Sequence, residues 1–84
     1  MNLKEFKKTK NRQRPDFAYG YIKKVGDLKY DIFTLNRGKT FSCSIDQKRM
    51  DGRYYNEFVE THDTIDECLI TLESAVLALK FKSY

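Results

Sequence analysis

Three side chains of this 84-residue chain, Cys43, Cys68 and His62, are of the types that serve as nucleophile, general base or zinc ligand. His62 is the only histidine, and the two cysteines lack the paired spacing of zinc sites, so the sequence predicts no metal. A catalytic thiol would need an accessible, electropositive setting. Both cysteines instead fall on apolar faces of predicted elements, which favours small buried hydrophobic residues. A disulfide or a redox role is the alternative.

The stretch RGKT at residues 37–40 matches the last four positions of a phosphate-binding P-loop. That motif requires a glycine five positions before Gly38, where Phe33 stands, and a long helix after it, which the pattern does not predict. The stretch therefore predicts a hairpin turn. Helix capping and a solvated strand face explain the acidic pairs, which are Asp66 with Glu67 and Glu57 with Glu60. The sequence thus predicts no catalytic residue, no cofactor and no enzymatic activity.

Positive charge is concentrated in the first two thirds of the chain. Residues 1–53 carry 14 Lys and Arg against 6 Asp and Glu, whereas residues 54–84 carry 2 against 6. The densest run is KEFKKTKNRQRP at residues 4–15, which has six positive side chains and one negative one. A surface of this kind binds nucleic acid by releasing counterions from its phosphates, and it can also steer an acidic protein.

The candidate binding residues lie in this run and on the hairpin that follows it. Tyr19 and Tyr21 interleave with the lysines and are predicted to stack on unpaired bases. For the tyrosines the alternative is packing within a sheet, and for the basic run it is a solvated tail that keeps the protein in solution. The side chains predicted to contact phosphates or an acidic protein surface are Lys7, Lys8, Lys10, Arg12, Arg14, Lys23 and Lys24.

The elements that must position these residues are mostly strands. Alternating apolar residues predict strands at 17–25, 28–35, 40–46 and 53–60, with a tight Gly26-Asp27 turn after the first. Phe33 and Leu35 fall out of phase with Ile32, which predicts a bulge or a strand end covered on both sides. Residues 2–14 predict either a short helix capped by Asn2 or an ordered extension.

A C-terminal helix is predicted by a capping box at residues 64–67 and by the apolar stripe that follows it. Because one apolar face of a sheet and one of a helix bury each other, the predicted fold is α+β. It is an antiparallel three- to four-stranded β-meander packed against one C-terminal α-helix, with or without a short N-terminal helix. Residues 1–16 form a basic N-terminal segment and residues 17–84 a single α+β domain.

Ile70 and Leu77 lie off the predicted stripe and need another cover. A homodimer through these two residues would bury them, and so would the N-terminal segment or the C-terminal Phe81 and Tyr84. No apolar run approaches the roughly 18 residues of a membrane span, and the polar N-terminus lacks the apolar core of a secretory signal. With two cysteines, these features predict a cytoplasmic protein and no membrane partner.

The sequence therefore predicts a small non-enzymatic binding or regulatory protein. Its predicted partner is nucleic acid, or nucleic-acid-processing machinery, engaged through the basic N-terminal arm and the first hairpin. The alternative is a protein–protein inhibitor or adaptor of the phage or mobile-element type, which blocks a host protein by occupying its surface.

Overall fold

The computed structural model describes residues 1–9, 19–35 and 38–79. A 3-10 turn (Leu3–Glu5) comes first, and a C-terminal helix, α1 (Ile65–Leu79), comes last. Between them, one antiparallel sheet holds its strands in chain order. This confirms the predicted α+β architecture and adds one short N-terminal strand to it. The strands are β1 (Lys7–Thr9), β2 (Gly20–Val25), β3 (Leu28–Leu35), β4 (Thr40–Lys48) and β5 (Tyr54–His62).

One face of the sheet carries α1, which packs mainly on β4 and β5 and reaches β3. Side chains alternate between faces along a strand, so every second residue of β3 and β4 points towards the helix. The centre of the core has no solvent exposure, and burial of a large apolar side chain contributes about 2 kcal/mol to stability. Its members are Ile32, Ile45, Cys43, Cys68 and Leu72. The opposite face, here called the open face, has no helix among the described residues.

The N-terminus folds as a cap on this core. The Asn2 side chain accepts a hydrogen bond from the Lys4 amide at 3.0 Å, and the Glu5 carboxylate accepts one from the Asn2 amide at 3.2 Å. The resulting 3-10 turn brings Phe6 into the core. The predicted helix is confined to this turn because β1 follows at once and pairs with β2. The predictions for residues 10–16 lie outside the described residues.

Of the two alternatives predicted for the end of β3, the bulge is wrong. β3 pairs with β4 in continuous register, and Thr34 follows Ile32 on the helix-bearing face, where its hydroxyl donates to the Tyr19 carbonyl at 3.2 Å. Phe33 points to the open face and is 41% exposed. A register shift does occur in β5, where Glu57 is the extra residue between those that pair with Ile45 and Asp46.

The start of α1 is capped by Thr64, as predicted, although the Glu67 carboxylate contacts the Thr64 hydroxyl where the capping box predicts the Thr64 amide. The Thr64 hydroxyl oxygen accepts from the Glu67 amide at 3.1 Å, and the hydroxyl donates to the Glu67 carboxylate at 3.2 Å. Ile70 and Leu77 point away from the sheet and are 67% and 71% exposed. The C-terminal aromatic residues predicted as one cover lie outside the described residues. Within residues 1–9, 19–35 and 38–79, no helix has the length and apolar character needed to cross a bilayer.

Candidate nucleic-acid interface

Strand alternation divides the predicted basic residues of β1 and β2 between the two faces of the sheet. Lys7 pairs with Ile22 and Lys24 with Lys29, and all of these point to the open face. Lys8 and Lys23 point to the helix-bearing face. The remaining predicted basic residues, Lys10, Arg12 and Arg14, lie outside the described residues.

The two tyrosines predicted to stack on bases lie on the helix-bearing face. Their rings meet edge to face, with centroids 5.7 Å apart and planes at 79°. Tyr21 also packs against the core, and the Lys8 ammonium lies 4.5 Å from the Tyr19 ring centroid. Such a cation–π contact holds both side chains in place. One face of the Tyr19 ring is therefore covered, and Tyr21 is engaged in packing.

A groove of about 560 Å³ lies at the β1 edge of the sheet. It is called the basic groove here, and its lining is Glu5, Lys7, Thr9, Ile22, Lys23 and Lys24. The Lys23 ammonium pairs with the Glu5 carboxylate and lowers its pKa. Among the described residues, no carboxylate pairs with Lys7 or Lys24. The groove thus joins three of the predicted lysines, of which only Lys23 forms an ion pair with a carboxylate of the described residues.

Lysines continue from the groove across the open face. Lys24 stands directly opposite Lys29, and Lys29 lies 3.7 Å from the Asp46 carboxylate and 4.8 Å from the Tyr54 ring centroid. Lys48, two residues beyond Asp46 on β4, is exposed on the same face. Like charges placed directly opposite each other destabilise a sheet. Lys24, Lys29 and Lys48 are called the lysine row below.

Neither Lys29 nor Lys48 is among the binding residues predicted from the sequence, and Lys48 lies beyond the strand predicted at 40–46. β4 in fact continues to Lys48, paired with Tyr54. The alternation of this strand, with polar residues at even positions, continues through Asp46 to Lys48. This continued alternation was the signal that could have placed Lys48 in the strand. Lys48 is held at the strand end because its amide donates to the Asp27 carbonyl at 2.7 Å.

Two carboxylates share the open face with the lysines. Asp46 is paired with Lys29 and also accepts from the Asn56 side-chain amide at 3.0 Å. Burial raises the pKa of Asp31, although the nearby lysine charges oppose this rise. Away from these residues, the face is uncharged, with Phe33, Ser42, Ser44, Val59 and Thr61. Positive charge is therefore in excess at the end of the face that carries the lysine row.

Acidic residues gather at the opposite side of the molecule, around β5 and the first turn of α1. The His62 ring Nε2 lies 2.9 Å from the Thr71 hydroxyl, and the ring is 3.6 Å from both the Glu60 and Glu67 carboxylates. Within the part of the chain that the structure describes, no three side chains of metal-binding type gather into a metal site. A second groove, of about 340 Å³, runs between Phe58 and Ile70.

Comparisons with protein-family models, with curated proteins and with solved structures found no significant match. The candidate interface is therefore inferred from geometry alone. The basic groove and the lysine row are contiguous because Lys24 belongs to both. Together they form a cationic strip that crosses β1, β2, β3 and β4 at one end of the sheet.

Proposed function

We propose that this protein is a non-enzymatic binding protein that holds the phosphate backbone of nucleic acid on its lysine row and basic groove. The observation that carries the proposal is Lys24 placed opposite Lys29 on the open face. Such a pair costs stability in the free protein, whereas a bound anion between the two ammonium groups turns the repulsion into attraction. Nucleic acid supplies anions at regular spacing and gains entropy when its counterions are released.

The chemistry of the strip favours backbone contacts over base readout. Lysine binds phosphate as a point charge and lacks the planar fork with which arginine reads guanine. The Tyr54 ring stands within the row, but it is half-buried and Lys29 lies over it. The arm residues Lys10, Arg12 and Arg14 follow β1 directly in the chain and carry three further positive charges. We therefore expect binding that depends on salt and tolerates any sequence.

The test is fluorescence anisotropy of labelled random-sequence oligonucleotides, single-stranded and duplex, with the full chain over a salt series. For single strands, each phosphate contact contributes about −0.7 to the slope of log affinity against log salt. The double variant Lys24→Gln/Lys48→Gln should therefore make the slope shallower by about 1.4. Deleting residues 1–14 is unsuitable as a test because it would remove Phe6 from the core.

The matched control is Lys8→Gln/Lys39→Gln, which changes the net charge equally. Lys8 lies on the helix-bearing face. Lys39 comes just before the first residue of β4, whereas Lys48 is the last residue of that strand. The control should keep the wild-type slope. Equal losses in both variants, or no binding of either oligonucleotide by the wild type, would contradict the proposed interface.

The second candidate is the protein–protein inhibitor or adaptor, and the exposed Ile70 and Leu77 favour it. Two large apolar side chains on the outer surface of α1 are typical of a protein contact, either with a host protein or with a second copy. The same experiment separates the two functions. An inhibitor leaves random oligonucleotides unbound and forms a stoichiometric protein complex that survives moderate salt.

A further inference from the structure

The last strand, β5, forms an edge of the sheet. It pairs with β4 on one side, and no other strand of the described residues pairs with its outer side. A register shift interrupts β5 near Glu57, but the run from Phe58 to His62 pairs with β4 in continuous register. Alternate backbone amides and carbonyls of this run, here called the β5 edge, therefore point outwards. Such a row of unpaired groups is a template for a further strand.

A groove lies directly beside the β5 edge. It has a volume of about 340 Å³, is called the edge groove here, and runs between β5 and one flank of α1. Phe58 and Glu60 form its strand side, because both point to the helix-bearing face. Ile70, Ala75 and Ala78 contribute to its helix side, so most of its lining is apolar. A side chain from a strand added to β5 would enter this groove.

The edge groove has a polar end and an apolar end. At the polar end, the first turns of α1 are fixed beside the end of β5, where the His62 ring lies 2.9 Å from the Thr71 hydroxyl. The Glu60 and Glu67 carboxylates lie at this end, each 3.6 Å from the same ring. The helix then runs back along β5, so its later residues lie beside Phe58 at the apolar end.

Negative charge dominates the two elements that form this site. Residues 54–79 carry six Asp and Glu and no Lys or Arg. Glu57 is paired with Arg49 at 3.2 Å, whereas the ion pairs of Glu60 and Glu67 among the described residues are with His62. A second copy of the chain would bring the same carboxylates to the edge, and like charges destabilise a strand pair. A basic segment is complementary to it.

We propose that the β5 edge and the edge groove bind an extended basic peptide segment of another protein, which adds to the sheet as an antiparallel strand. Main-chain hydrogen bonds would supply affinity, and the groove would select alternate side chains. A Lys or Arg lies opposite Glu60, and an apolar side chain lies opposite Phe58. In antiparallel pairing, the recognised motif therefore reads, from its N-terminus, basic residue, any residue, apolar residue. The site is at the other edge of the sheet from the basic groove, so this inference does not rest on the proposed nucleic-acid function.

The experiment titrates the full chain into a fluorescein-labelled peptide, Thr-Lys-Thr-Lys-Thr-Ile-Thr-Ser, blocked at both ends, and follows fluorescence anisotropy. We expect a dissociation constant below about 1 mM, and no binding when both lysines of the peptide are replaced by glutamate. Alternate amides of a strand point to the same side. N-methylation of the Thr amides or of the Lys and Ile amides should therefore abolish binding in one peptide and be tolerated in the other.

Two matched pairs of variants locate the site on the protein. Ala78→Arg fills the edge groove with a cation and should weaken binding at least about tenfold, whereas Leu77→Arg adds the same charge outside the lining and should leave it unchanged. Glu60→Gln should weaken binding about twofold to fivefold, the range of an exposed ion pair. Glu57→Gln removes a carboxylate that is already paired with Arg49 and should have a smaller effect.

Amide hydrogen exchange followed by NMR reads the pairing directly. In the free protein, alternate amides of the β5 edge should exchange rapidly, and the peptide should protect them. Binding that is indifferent to both N-methylations would be charge attraction alone and would overturn the proposal. No binding at about 1 mM peptide, equal losses in Ala78→Arg and Leu77→Arg, or a dimer through β5 would do the same. Lys24→Gln/Lys48→Gln should bind the peptide as the wild type does, which separates this result from that of the nucleic-acid test.

Discussion

Lys24 stands opposite Lys29 across β2 and β3, and replacing it should make the free protein more stable while weakening its binding of nucleic acid. Lys7 lies diagonally from it on β1, and Asp31 lies diagonally from it on β3. On the open face, Lys24 therefore has Lys29 and Lys7 as like charges and Asp31 as an opposite charge, and Lys29 is itself paired with Asp46. The repulsion that remains on Lys24 is at most about one like-charge pair.

The magnitude follows from Coulomb's law in water, because Lys24 is exposed. Two unit charges about 6 Å apart repel by about 0.7 kcal/mol in water, and screening at about 0.1 M salt reduces this by roughly half. Lys24→Gln should therefore raise the free energy of unfolding by at most about 0.4 kcal/mol, and Lys24→Glu by at most about 0.8 kcal/mol. Lys24→Arg keeps the charge and should leave it unchanged.

The assay is urea unfolding followed by far-UV circular dichroism, at low salt and at about 1 M salt, where the screening length falls to about 3 Å. Stability should increase in the order Arg, Gln, Glu at low salt, and the differences should disappear at high salt. Oligonucleotide affinity should follow the opposite order. A stability order unrelated to charge, or one that persists at high salt, would refute the electrostatic reasoning.

Two further predictions concern the helix and the N-terminal turn. Leu72 has no solvent exposure, so Leu72→Ala should lower the free energy of unfolding by about 3 kcal/mol. Leu77 is 71% exposed, so Leu77→Ala should change it by less than about 0.5 kcal/mol. Equal losses of the two variants in urea unfolding would contradict the packing of α1. The hydrogen bond from Lys23 lowers the pKa of Glu5 from its ordinary value of 4.5. The stabilisation from this pair is therefore fully present above pH 4.5, and it is lost as the pH falls through the lowered pKa of Glu5. Lys23→Gln should raise the pKa of Glu5 in an NMR carboxyl titration, and an unchanged pKa would show that the pair does not form.

The fold was predictable because its main elements are encoded locally. The alternation of residues 40–46 and the Thr64–Glu67 capping pair each specify an element from neighbouring residues alone, and both are observed. β1 could not be predicted in this way. Its three residues have no apolar pattern, and they form a strand because their backbone pairs with the edge of β2. Pairing partners far apart in the chain leave no local signal.

The candidate interface was predictable in composition but not in arrangement. The excess of lysine in the first two thirds of the chain identified Lys7 and Lys24 as candidates, and both line the basic groove. Lys8 was an equally good candidate by sequence, yet strand phase turns it to the other face, and Lys23, which also lines the groove, is paired with Glu5. A shift of one residue exchanges the two faces of a strand, so charge counts cannot decide which lysines act together.

By itself, the sequence determined β2 to β5, the helix, the apolar faces that join them and the segregation of charge, because each depends on residues close together in the chain. Only the tertiary structure decided that Lys24 faces Lys29 and that Cys43 and Cys68 are buried in the same core cluster. The physical reason is that strand register, and the place where α1 settles on the sheet, are set by the packing of the whole core. No local pattern reports how residues separated by a turn or by a whole strand will meet.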